Sequence, residues 1–457
     1  MSNPTSPSRS DIVVVGGGIA GCMAALSACQ TVGGSTTITM VHKAGGATPS
    51  WSGAVDVACD LVDTTPGIRV PGLARGGAIT DNIARLARLR PRHPYARFDG
   101  SDDDSGVADA LKALVDAAAD IDLVGRDDGH NHVLATALGT VKRGALVARS
   151  QHLDLADLAG TGACVGIVEW RDLAGFSARP VVDMLRFAVS LGVSAPPFAI
   201  EPVVVPRVLS GDVFRDSRAM ARAFDDEAVR ARFLAALKAA ASAHPITLTH
   251  LLLPATLGTR GLGSGAMATV EAAVGLPVRE LLALPPSSPA ERLQRALRAT
   301  CEARGIVAVD GNVSAPRFDG DRLVGVTIGR GAEQHTMDCG ALVLASGRFY
   351  GGGLVRDQVA REALFGAPVV SEGTPIDDQF IGAFTGEHVD ADHAIFRAGV
   401  AIDSHLRPLD RHRRPLAENV VAAGSIIEGY DPARDGSGLG VAAWTGWLAG
   451  QRACEGL

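Results

Sequence analysis

The sequence predicts an α/β protein, a parallel sheet with a second unit inserted into it. Three features carry this. The unbroken β-branched run Ile12 to Val15 leads straight into glycines at positions 16, 18 and 21. Two later apolar strands, Leu342 to Gly347 and Asn419 to Gly424, also end in small residues and glycine. Between residues 181 and 287 the pattern changes to helical runs that alternate with short extended pieces.

The opening stretch, D-I-V-V-V-G-G-G-I-A-G, has the composition of a buried parallel strand followed by G-x-G-x-x-G. Gly16 permits the turn out of the strand, Gly18 lets a pyrophosphate approach the backbone, and Gly21 lets the next helix pack closely. Free N–H groups at that helix start favour an anion. The motif alone is weak, because 54 glycines are spread through the chain. Its context strengthens it: a strand before, an apolar helix from Ile19 to about Val32 after, and a second strand at Thr37 to Val41.

With 457 residues, 47% of them hydrophobic, the chain can bury a large core and is expected to be globular. A net charge of -7 argues against nucleic acid as a partner. No signal-peptide core precedes the first strand, and no stretch is long and apolar enough to span a bilayer. The expectation is a cytoplasmic protein, peripheral at a membrane only through a partner. The seven cysteines form no close cluster, which fits a reduced compartment and no iron–sulfur cluster on this chain.

After the second strand, Ala44 to Asp56 is rich in glycine and serine, with Ser52 and Gly53 as candidate contacts for a flavin ring. An ordinary crossover loop is the alternative. Pro91 to Phe98 contains His93, a candidate base that could equally be a turn residue. Asp102 to Asp104 reads as a solvated loop, not a metal site, and no metal is expected. Val107 to Ala119 reads as an amphipathic helix. Thr136 to Ser150 reads as a turn that carries Lys142 and Arg143; such a pair meets a substrate phosphate or lies at a solvated edge.

Val181 to Leu191 and Arg218 to Ala241 read as helices of the insertion, and Ser288 to Cys301 as the return helix. Gly305 to Val309 suits a parallel strand, and the Asp-Gly turn at 319–320 leads into an alternating strand. The last pieces are Asn419 to Gly424 and D-G-S-G-L-G at 435–440, where Asp435 or Ser437 could cap the final helix. Gly347, Gly424, Asp435, Gly436 and Gly438 are candidate cofactor contacts, and Arg348 is a candidate for the substrate anion or for catalysis. Together these pieces predict a Rossmann-like flavin-binding domain of the glutathione-reductase type with an inserted α+β cap domain. The expected limits are 1–180, 181–287 for the cap, and 288–457.

The chain resembles the B-type chains of anaerobic glycerol-3-phosphate dehydrogenase, within the fumarate-reductase-like flavoproteins. The resemblance runs through Val14 to Gly21, Ser50 to Val57, His93-Pro94-Tyr95, Leu138 to Arg143 and Leu253 to Gly258. It continues through Leu284 to Leu297, Leu342 to Val355 and Asn419 to Gly440. The segments L-P-P-S-S-P-A-E-R-L-Q-R-A-L and A-G-S-I-I-E-G-Y-D-P are the most specific. It implies a flavoprotein working with an A-type dehydrogenase subunit and an iron–sulfur C-type subunit, oxidising sn-glycerol 3-phosphate to dihydroxyacetone phosphate for a membrane quinone. Ser437 stands where relatives are expected to carry cysteine, and Arg348 where a small residue is commoner. A stand-alone flavin dehydrogenase or reductase of a small hydroxy or unsaturated acid remains an alternative. So does a non-catalytic subunit whose flavin relays electrons or holds the fold.

The flavin itself is open at this stage. The glycine motif suits the pyrophosphate of FAD, whereas the resemblance implies FMN. His42 ends the second strand where a carboxylate usually holds the adenosine ribose. A neutral imidazole has a single acceptor nitrogen, and each lost charge-assisted bond costs roughly 1.5–3 kcal/mol.

Overall fold

The computed structural model describes residues 8–33, 36–43, 45–59, 72–97, 105–191, 193, 196–211, 215–331, 333–376, 382, 384–388 and 391–457. Asp102 to Asp104 lie outside them. The Arg9–Val15 strand is the middle of the main sheet, with Ile38–His42 parallel on one side and Glu333–Leu344 parallel on the other. Val307–Asp310 extends the sheet beyond Ile38–His42, and Val420–Ala422 pairs parallel with Glu333–Leu344. Arg322–Arg330 and Asn312–Asp319 add an antiparallel meander. This parallel sheet with its antiparallel appendage is the layout the sequence predicts.

The buried strand core Ile12, Val13 and Val14 explains the β-branched run, because both faces of this strand are covered. One face carries helices Ile19–Val32 and Gly438–Glu455. They approach closely because small residues meet there. A Cβ on Gly446 or Gly450 would overlap the carbonyl oxygens of Ala20 and Ala24. Helix Ser288–Ala303 starts where expected and has a proline in its first turn; its cap is Ser287, whose Oγ accepts from the Ala290 N–H at 3.2 Å.

A second sheet has the order Val278–Glu280, His250–Leu253, Cys164–Trp170, Ala199–Val205. All its pairs are parallel, and helices such as Ala178–Ser190 and Ser264–Val274 join the strands. The expected α+β character of the insertion is thereby refined: strands and helices alternate, as parallel pairing requires. The Cys164–Trp170 strand precedes residue 181 in the chain. The helical run expected over Arg218 to Ala241 is two helices, Ser217–Phe224 and Glu227–Ser242. Asp226 caps the second by accepting from Val229 N–H at 3.0 Å.

A buried ion pair joins this sheet to the return helix. Arg292 Nη1 and Nη2 meet the Glu280 carboxylate at 2.6 and 3.1 Å. Arg292 Nε and Nη2 also donate to the Gly258 carbonyl, at 2.9 and 2.6 Å. Glu280 accepts in addition from Ser150 Oγ at 2.9 Å and Leu257 N–H at 2.8 Å. Both side chains are nearly inaccessible, so their charges are compensated only by each other and these bonds. Arg292→Ala leaves an uncompensated buried carboxylate and should therefore destabilise the fold by about 3–5 kcal/mol. Arg292→Met with Glu280→Leu should recover most of that loss. Denaturant unfolding checks both; an unchanged midpoint for Arg292→Ala would remove the pair from the account of stability.

Candidate functional site

A cavity of about 1350 Å³ runs along the carboxyl ends of the main-sheet strands. One end is lined by His42, Lys43 and Gly311 to Val313, the other by Ser52, Lys142, Arg348 and Tyr430. Gly16 to Gly18 line it as well, with Gly17 against His42.

The three motif glycines are required for different reasons. Gly16 has φ +125°, and a Cβ there would overlap the Ala345 carbonyl oxygen. A Cβ on Gly21 would overlap the Gly16 carbonyl oxygen, so this residue sets the strand–helix approach. Gly18 is different: a Cβ would meet only Thr48 Oγ1 at 3.5 Å and Gly45 O at 3.8 Å, ordinary contacts. The protein's own packing leaves this position room, and what the glycine keeps open is the cavity wall. Gly18 also caps helix Ile19–Val32 without a side-chain bond, and no acidic residue stands in the first turn. The helix start thus presents unsatisfied N–H groups and positive potential to the cavity.

His42 ends its strand beside the cavity and packs against Gly17, whose Cβ would come within 2.7 Å of His42 Cβ. Burial, together with Arg298 and Arg330, depresses its pKa, so the ring is neutral near pH 7. Asp310 is its cross-strand partner and holds Arg330 at 2.5 Å.

At the opposite end the structure sorts the sequence candidates. Ser52 and Lys142 line the cavity, with Lys142 Nζ 3.5 Å from Ser52 Oγ and 3.9 Å from Asp56 Oδ1. Lys142 and Arg143 lie on a strand, Val141–Gly144, rather than in a turn. Strand alternation sends them to opposite faces. Arg143 is buried away from the cavity, donating to Ala74 O at 2.7 Å and Gly72 O at 3.2 Å, which corrects its candidacy for a substrate phosphate. Gly53 is also corrected. It does not line the cavity, and its Cβ would collide with the Gln151 amide that binds Ser52 O and Leu281 O.

Gly347 and Arg348 line the cavity, but the Arg348 guanidinium is committed to the backbone. It donates to Ser425 O at 2.7 Å, Tyr430 O at 2.8 Å, Ile427 O at 3.3 Å and Phe396 O. It also lies 4.7 Å from the centre of the Tyr430 ring. Arg348 thus shapes the wall, and its donors are taken up before any substrate arrives.

His93 is fully buried and outside the cavity lining. Nδ1 accepts from the Tyr95 N–H at 3.1 Å, so the ring proton sits on Nε2, 3.1 Å from Ser437 Oγ. Burial and Arg90 push its pKa down to about 3. Its expected role as a catalytic base is corrected on both grounds, position and a lone pair already in use. Ser437 spends its hydroxyl here and does not cap helix Gly438–Glu455. The cap comes from Asp56, which accepts from Gly438 N–H at 3.2 Å through Oδ2 and from Gly440 N–H at 2.8 Å through its carbonyl. Asp435 instead accepts from Asp431 N–H at 2.8 Å, and burial raises its pKa. Gly436 packs on Cys59 and Gly424 on Ala20, so of this group only Gly438 lines the cavity.

Two residues that the sequence did not single out complete this end. Asp56 lines the cavity beside Lys142, and Tyr430 presents a fully buried phenol to it. Among the described residues, Tyr430 OH and Ser346 Oγ, both on cavity-lining residues, are buried without a hydrogen-bond partner. Such orphans fit a polar ligand that supplies the missing bonds. With the open helix start and the Gly18 gap, Ser346 Oγ fits a flavin nucleotide.

The FAD binding domain family matches residues 11–441. The chain belongs to this family. Among curated proteins it is 29% identical to the B chain of a probable anaerobic glycerol-3-phosphate dehydrogenase of Halobacterium salinarum, over 98% of this chain and 99% of that one. It is 26% identical to the B chain of the anaerobic glycerol-3-phosphate dehydrogenase of Yersinia pestis, over 94% and 95%. The open conformation of a flavocytochrome c3 fumarate reductase gives a TM-score of 0.44 at 11% identity, covering 98% of this chain and 79% of that chain. Among the described residues no helix is long and apolar enough to cross a membrane. In this FAD-binding-domain protein Gly16 to Gly18, Ser52, Ser346, Gly347 and Gly438 all line the cavity.

Gly18→Ala should fold with an unchanged melting temperature but retain less flavin. Gly16→Ala should fail to fold stably, because the backbone and Ala345 both oppose a Cβ. Flavin content and thermal melts separate the two, and equal flavin retention by wild type and Gly18→Ala would move the phosphates elsewhere. A second expectation concerns acid. Below pH about 6.5 the unfolded chain protonates His93 while the native state does not until about 3. This one group should therefore lower stability by about 1.4 kcal/mol per pH unit across that window. His93→Asn should show a shallower acid slope by about one proton; parallel curves would contradict the buried neutral ring.

Proposed function

We propose that this chain is the flavoprotein subunit of a glycerol-3-phosphate dehydrogenase assembly, a flavin-dependent oxidoreductase that oxidises sn-glycerol 3-phosphate to dihydroxyacetone phosphate. The observation that carries the reading is one cavity lined both by a phosphate-ready glycine loop and by Lys142, Asp56 and Tyr430. The full-length similarity to the B chains of such dehydrogenases supplies the substrate class.

FAD is the flavin this reading favours. His42 and Asn312 line the same cavity as Gly18 and Ser52, and the FAD binding domain family matches residues 11–441. When bound, the flavin supplies the two-electron acceptor for the carbinol carbon. The chain's own residues do the rest. Lys142, half-buried and held near Asp56, offers its ammonium to the substrate phosphate. Asp56 offers a carboxylate for the hydroxyl proton while still capping the final helix. Arg348 keeps the wall rigid by binding four carbonyls. The unit from Cys164 to Glu280 serves as the cap, attached through the Arg292–Glu280 pair. An A-like subunit and an iron–sulfur C-like subunit would take the electrons onward, and the cytoplasmic chain would reach a membrane only through them.

The purified chain should be yellow, and acid precipitation should release the colour into the supernatant. Mass spectrometry should identify FAD; FMN alone from fresh protein would overturn that assignment. With its partner subunits the chain should reduce a dye acceptor on addition of sn-glycerol 3-phosphate. A colourless chain that cannot be reconstituted with flavin would overturn the reading as a whole.

A further inference from the structure

Among the described residues, the Tyr430 phenol is a buried polar group of the cavity wall that neither the fold nor the proposed cofactor contacts account for. The residue is inaccessible to solvent, it lines the cavity, and its hydroxyl is buried without a partner. Its position is strongly determined. Arg348 binds its carbonyl and lies over its ring, and the His93 ring meets it edge-on at 5.5 Å. On the same short segment Glu428 is tied to Arg92 at 3.2 Å and Arg97 at 2.5 Å, and accepts from Gly373 N–H at 3.0 Å. A phenol held this firmly, with an empty hydrogen bond, is preorganised for a ligand atom.

The chemistry of that atom follows from the surroundings. Burial and the nearby Asp56 raise the Tyr430 pKa to about 12, so the group stays a donor at neutral pH. A donor requires an acceptor on the ligand: a carbonyl, a carboxylate or an oxygen gaining negative charge. Lys142 stands at the same end with its ammonium in the cavity, while the donors of Arg348 are taken by the backbone. Lys142 and Tyr430 therefore bring an ammonium and a phenol to this part of the cavity wall from separate segments. That pair suits a small ligand with an anionic group at one end and a second oxygen beside it.

We propose that Tyr430 is a substrate-binding residue whose phenol donates a hydrogen bond to the oxygen on the reacting carbon, while Lys142 holds the anionic end. This rests on the reading under Proposed function, which it deepens by naming the group that orients the substrate. A phenol donor there favours the ketone product and the oxygen as it gains charge over the neutral alcohol.

The test uses flavin-loaded protein and Tyr430→Phe, which keeps the ring beneath Arg348 and removes only the hydroxyl. Dihydroxyacetone phosphate and oxalate are titrated against each holoprotein, followed by the change in flavin absorbance. Flavin affinity and melting temperature are measured alongside. We expect at least tenfold weaker binding of dihydroxyacetone phosphate by the variant, with flavin affinity and melting temperature unchanged. Equal binding of the probes by both proteins overturns the proposal. So does a loss confined to flavin affinity, which would assign the phenol to the cofactor. If wild type binds oxalate but not dihydroxyacetone phosphate, and the variant loses oxalate tenfold, the phenol's role stands while the substrate class proposed above falls. Failure of wild type to bind either probe overturns both.

Discussion

The site depends on how one short segment, residues 425–432, is pinned from two sides. On one side the Arg348 guanidinium gathers the carbonyls of Ser425, Ile427 and Tyr430. On the other, the Glu428 carboxylate, fully buried, is neutralised by Arg92 and Arg97. Backbone carbonyls that leave regular structure and are buried must find donors, and a buried charge must be paired. Both requirements are met here by arginines from distant parts of the chain. Gly429 completes the arrangement, since a Cβ there would overlap the Arg92 carbonyl oxygen. The result is a rigid segment that holds Tyr430 in the cavity wall.

The same logic governs charge along the cavity. His42 and His93 are both kept neutral by burial and nearby arginines. Arg143 and Arg348 commit their donors to carbonyls. Lys142 is left with its charge facing the cavity, close to Asp56. Most cations at this end thus serve structure, and the distinction is set by which donors remain after the backbone is satisfied. Asp56 does both jobs at once, capping a helix that begins 382 residues later and facing the cavity.

The sheet, its central strand and its glycine loop were legible because their causes are local. A run such as Ile12 to Val14 is buried on both faces wherever it folds. Gly16 and Gly21 are required by atoms immediately around the strand–helix turn. The return helix was equally legible, since its start at Ser288 is set by neighbouring residues. The errors arose where a residue's partner is remote. Gly53 resembles a cofactor glycine until Gln151 is seen occupying the space. Asp435 looks like a helix cap, yet the N–H groups it would bind go to Asp56. Arg143 looks equivalent to Lys142 until strand alternation separates them.

By itself, then, the sequence determined the class of fold, the parallel order around the first strand and the position of the glycine turn that follows it. Each of these follows from side-chain shape and hydrogen bonding over a few neighbouring residues. Only the tertiary structure decided which charged groups face the cavity and which are consumed in building it. That choice rests on long-range pairs such as Arg348 with Ser425, Asp56 with Gly438 and Arg292 with Glu280. Sequence spacing cannot report it, because a donor has no fixed role until the fold brings an acceptor within about 3 Å.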